Sequence, residues 1–159
     1  MVTDSVNRDD YAYRRELVEK YRPIAERLNT YIPWLESKVG ATTSQNYAGQ
    51  GIGEHSIAFP VYDSTLMALV KLLQTSPLMD RNYVYVYSRN RIRTHEDEIR
   101  LIHATELKDI ANLQAIFSKY VMEGMTKGTK WTEAVSSGVF YECALQLKKV
   151  IEFWDVPIH

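Results

Sequence analysis

Apolar residues recur along most of this chain at three- and four-residue intervals, the spacing that gathers side chains on one face of an α-helix. Over residues 9–28, Tyr11, Val18, Tyr21, Ala25 and Leu28 fall near one face, with Leu17 and Ile24 beside them. Asp9 and Asp10 stand where acidic side chains favour a helix N-terminus, and residues 1–8 read as a flexible leader to it. Pro23 removes one hydrogen bond from this helix and predicts a bend or a split there. A short helix follows from Pro33 to about Lys38, closed by Gly40. Leu66, Leu69, Val70 and Leu73 predict another, capped by Asp63, Ser64 or Thr65 and stopped by Ser76 and Pro77. Thr94 to Asp97 form a variant capping box opening a helix to about Ala104. Leu107, Ile110, Leu113, Phe117, Tyr120 and Val121 make one stripe. Gly124 and Gly128 bracket a turn, residues 131–137 make a short helix, and Gly138 interrupts. Val139, Cys143, Leu147, Val150, Ile151 and Trp154 make the last stripe.

Two stretches break this period. Residues 40–55 hold Gly40, Gly49, Gly51 and Gly53 and read as a glycine-rich loop, followed by a short extended piece at 56–60. Residues 81–93 alternate instead: Tyr83, Tyr85 and Tyr87 are separated by Val84 and Val86 and surrounded by Arg81, Arg89, Arg91 and Arg93. The alternation and the β-branched residues favour a strand, although a lone strand needs a partner, which leaves strand and helix both open. The expected fold is a mostly α, single-domain bundle of five or six helices spanning 1–159, with at most a short two-stranded β element.

Composition narrows the function classes. At 159 residues the chain suffices for one self-contained core. Its formal net charge of −1 sets aside a protein that grips duplex phosphates over a broad basic face, so any basic surface is local. One cysteine, Cys143, cannot pair within the chain, and a reducing, cytoplasmic setting is the expectation. No apolar run approaches the ~20 residues of a membrane span, so no membrane association is expected.

The segment 81–93 is the leading candidate for a contact surface: Arg81, Tyr83, Tyr85, Tyr87, Arg89, Arg91 and Arg93. If it is extended, the three phenols share a face. Phenols flanked by guanidiniums suit a protein partner, because Tyr and Arg are enriched among binding hot spots. They also suit a single nucleic-acid strand whose bases stack on the rings. The competing account is a partly buried strand with hydroxyls at its rim. A helical segment would scatter the rings and remove the stacking platform. His95, Glu98, His103 and Glu106 repeat His-x-x-Glu within one helix. Ile99 and Ile102 share that helix face, and a metal needs ligands converging from separate elements, so neither metal nor cofactor is expected. The glycine loop lacks the strand and the lysine of a phosphate cradle. His55 and Glu54 within it have acid–base chemistry only if the loop covers a pocket. Cys143 lies mid-stripe and reads as a buried small hydrophobe. No catalytic constellation stands out, and a small His/Glu enzyme is the alternative to a binding role.

The part of the chain from Leu107 to about Lys149 resembles an uncharacterised bacterial family known only as a domain of unknown function. The resemblance rests on LKDIANLQAIFSKYV (107–121), then Glu123, Gly128 and Gly138 with the apolar stripe after it. The family's glutamate is commonly flanked by arginines and followed by phenylalanine, where this chain has Val121, Gly124 and Met125. The resemblance implies a small, mostly helical bacterial protein of the kind found in phage or mobile DNA, and brings no activity with it. The functional expectation is therefore a non-catalytic protein-binding or adaptor module, with an inhibitor of a bacterial enzyme, carried by a phage or mobile element, fitting that context. The alternatives are a single-stranded nucleic-acid binder and the small enzyme. The oligomeric state stays open, a homo-oligomer included.

Overall fold

A computed structural model describes residues 2–40 and 63–154. The protein is mostly helical: the described residues hold eight α-helices, one turn of 3-10 helix and no strand. The helices are α1 (Val2–Asn29), α2 (Ile32–Lys38), α3 (Ser64–Gln74), α4 (Tyr83–Arg89), α5 (His95–Ala104), α6 (Ala111–Gly124), α7 (Thr129–Ser136) and α8 (Val139–Trp154), with the 3-10 turn at Leu107–Asp109 before α6. The loop expected at 40–55, beyond Gly40, and the extended piece at 56–60 lie outside the described residues, as does His55.

α8 is the hub. It packs against α1, α2, α5, α6 and α7, and its Val139, Phe140, Cys143, Ala144, Leu147, Val150 and Ile151 are all buried. The stripe on α6 meets it through rings: Phe117 and Phe140 lie 5.5 Å apart between centroids, and Tyr120 meets Phe140 edge to face at 6.0 Å. α1 lays Val18, Tyr21, Ile24, Ala25 and Leu28 into the same core. It begins at Val2, where the sequence suggested a flexible leader, and it runs through Pro23 as one helix. Pro23 is exposed, so its ring faces water and the buried face stays continuous.

Local signals place two of the helix starts. Asp63 caps α3, its carboxylate accepting from the Thr65 and Leu66 amides at 2.8 and 3.1 Å. Thr94 and Asp97 form a reciprocal capping box at α5. The α6–α7 corner is set by contact: the Trp131 indole donates to the Val121 carbonyl at 3.1 Å, and Gly124 lies against that ring with no room for a Cβ.

Segment 81–93 departs from the strand reading. Its middle is α4, packed against α6, with Val86 buried and Tyr87 lying against the core. A seven-residue helix stands where alternation suggested β because packing decides between them: β-propensity is a preference for a half-buried pleated surface, and among the described residues no strand is present to pair with. α4 ends in a Schellman closure, Ile92 N–H to the Tyr87 carbonyl at 3.0 Å and Arg91 N–H to that of Ser88 at 3.2 Å. Arg91 takes the left-handed conformation this requires, with φ of 53°. Counting α4, and the short α2 and α7 separately, brings the total above the five or six helices expected.

Candidate functional site

α4 divides the tyrosines. Tyr83 and Tyr87, one turn apart, share the flank turned toward α6, with ring centroids 6.5 Å apart, edge to face. Tyr85 lies on the other side, 69% exposed, beside Val84 at 56%. A helix places i, i+2 and i+4 on no common face, so the row of three stacked phenols does not form. Arg81, Arg89, Arg91 and Arg93 are exposed, and among the described residues their guanidiniums have no hydrogen bond or ion pair.

Behind α4 lies a feature hidden from the sequence. Glu98, in the first turn of α5, is only 3% exposed. The Tyr87 hydroxyl donates to one of its oxygens at 2.6 Å and the Tyr120 hydroxyl to the other at 2.7 Å. Burial first, then the neighbouring Glu98 charge, raises both phenols far above the usual tyrosine range. Burial, with Glu98 and Glu142 nearby, likewise pushes the Cys143 thiol up, which keeps it neutral and a poor nucleophile.

This triad is the floor of a cleft. One recess of about 360 Å³ is bounded by the turn after α4 (Ile92, Arg93, Thr94), by His95 and Glu98 of α5, Lys119 and Tyr120 of α6, and Lys130 and Glu133 of α7. A second, of about 450 Å³, adjoins it through Tyr87, Ile92, Arg93 and Lys119 and extends along α4 to Tyr83, Arg91 and Glu123. Charges around the cleft are paired, some within one helix and some between helices. Lys119 Nζ lies 3.6 Å from Glu123 and 4.4 Å from the centre of the Tyr120 ring. Lys130 bridges Glu123 and Glu133 at 3.9 and 3.6 Å. The His95 ring meets Glu133 at 2.7 Å, and the Tyr83 hydroxyl donates to Glu123 at 3.3 Å. Positive charge reaches Glu123 from Lys119 and Lys130.

The other half of the His-x-x-Glu repeat goes elsewhere. His103 pairs with Glu142 of α8 at 2.8 Å, and Glu106 caps the 3-10 turn. The four side chains do not converge, and among the described residues no group of three or more His, Cys, Asp or Glu side chains is arranged to hold a metal. In the structure His95 is exposed and Glu98 buried. Its partners lie 11 and 22 residues away in the chain, and the nearest sequence signal is a carboxylate one turn from Ile102, on the buried side of α5.

Among the described residues no helix is long and apolar enough to cross a membrane. The chain matches no family model, no curated protein and no solved structure.

Proposed function

We propose that the chain is a non-catalytic binding module that docks another protein through the outer face of α4. The observation that carries this reading is the combination of Tyr85 and Val84, 69% and 56% exposed, with Arg81 and Arg89 next to them, exposed and without a side-chain partner among the described residues. Large aromatic and guanidinium groups supply contact area and directed hydrogen bonds at interface centres, and an acidic partner surface complements them. An inhibitor of a bacterial enzyme accords with this reading. Affinity capture from bacterial extract tests it. Wild-type protein retains specific companions that Tyr85→Ala/Arg89→Glu protein loses, whereas equal capture by both removes α4 as the docking face. A labelled oligonucleotide run in parallel separates the nucleic-acid alternative, for which binding falls steeply with salt.

The cleft supports a second reading, a small enzyme, because it brings His95, Glu98 and Glu133 to one wall. His95 paired with Glu133 is the group able to exchange a proton there. Hydrolytic activity on model esters or phosphoesters that disappears in His95→Ala protein supports that reading, and its absence in wild-type protein removes it.

A further inference from the structure

The inner side of α4 carries an observation that the docking reading does not use. In the cleft, every carboxylate already has partners: Glu98 two phenols, Glu123 two lysines and a phenol, Glu133 a lysine and a histidine. The cations do not balance in the same way. Lys119 and Lys130 are matched, but Arg91 and Arg93 line the cleft with no side-chain partner among the described residues. Four cationic side chains thus face three carboxylates, and the two without a side-chain partner among the described residues are planar guanidiniums on one short turn.

The backbone at Arg91 points the same way. The residue closing a Schellman motif is usually glycine, because a side chain is disfavoured in the left-handed region. Here that position holds an arginine at φ 53°, on the rim of the larger recess. Nothing in the packing of the fold requires a side chain there, since Arg91 is exposed. An arginine held in a conformation that disfavours it suggests that its head group has a use.

We infer that the cleft is a binding site for a small phosphate-bearing compound, its phosphate oxygens held by Arg91 and Arg93 and its remainder lying along Tyr83. Guanidinium forks match phosphate oxygens in pairs. Lys119, fixed over the Tyr120 ring, adds positive potential at the shared wall of the two recesses. Each recess falls in the size range of small-molecule sites, on the order of 300–1,000 Å³.

Titration calorimetry of the whole chain with pyrophosphate and with AMP tests this. Arg91→Gly is the informative variant, because glycine suits the left-handed position and deletes only the guanidinium; Arg93→Gln deletes the second. Tyr85→Ala, on the opposite side of α4, is the control. At least one probe gives saturable binding that weakens as salt rises, and that drops by roughly tenfold or more in each arginine variant. Arg91→Gly keeps or raises the unfolding temperature, and Tyr85→Ala leaves the affinity unchanged. No saturable heat with either probe in the millimolar range overturns the proposal. So does equal affinity in the arginine variants, or loss of binding in Tyr85→Ala. None of these results bears on protein capture through the outer face, so the two readings stand or fall separately.

Discussion

Glu98 is the residue at which this molecule commits most. A buried carboxylate is costly unless its oxygens are satisfied, and each oxygen here has one phenol, at 2.6 and 2.7 Å. Hydrogen bonds to a charged group each contribute about 1.5–3 kcal/mol. Tyr120→Phe is therefore expected to lower unfolding stability by roughly 2 kcal/mol, read from the shift in urea midpoint. Tyr87→Phe acts on the same carboxylate, so the double variant should differ from the sum of the singles by about 0.5 kcal/mol or more. Additive effects in that cycle would show that the two phenols do not act through a shared Glu98. Sequence periodicity shows Tyr120 as a member of the α6 stripe, but not that its hydroxyl has a destination.

At the level of the elements, two ends are held by different physics. Asp97 closes the capping box of α5, and the backbone N–H groups of Arg93 and then Thr94 hold its carboxyl below the usual aspartate range. Because the folded value is depressed, the contribution is fully present above the unfolded value, about 3.9. It is lost as pH falls through the folded value. Asp97→Asn should therefore destabilise the protein near neutrality and flatten the acid limb of its stability profile, measured by thermal unfolding between neutral and strongly acidic pH. An unchanged acid limb would remove Asp97 as its source. The α6–α7 corner depends on a missing side chain. A Cβ at Gly124 would fall inside the Trp131 indole, whose N–H also holds the Val121 carbonyl. Gly124→Ala should cost about 3 kcal/mol and change the tryptophan emission, whereas Gly40→Ala meets no neighbouring atom within 4 Å and pays only for its positive φ of 83°.

On the scale of the whole molecule, α8 joins most of the bundle, so damage to its centre should not remain local. Phe140 is fully buried between the rings of Phe117 and Tyr120. Phe140→Ala should remove about 3–5 kcal/mol, a large share of the roughly 5–15 kcal/mol typical of a domain. Near-UV and far-UV circular dichroism should then report one cooperative transition at a lower temperature. Separate transitions for the two probes would mean that α8 does not unite the structure.

Much of this architecture was legible in the residues. The stripes of α3, α6 and α8 were read position by position, and the caps at Asp63 and Thr94 lie where their short polar side chains reach the first free amides. Such features depend on neighbours within one or two turns, so chain order carries them. What chain order cannot carry is the company that distant residues keep. Whether 81–93 pairs as a strand or sits on α6 as α4 depends on what surface is nearby, and β-type alternation yields to that choice. The burial of Glu98 and the pairing of Lys130 with Glu123, His95 with Glu133 and Tyr83 with Glu123 arise from contacts between α4, α5, α6 and α7. Periodicity reports which side of a helix is apolar; hydrogen bonds and charge balance between elements exist only once those sides have met.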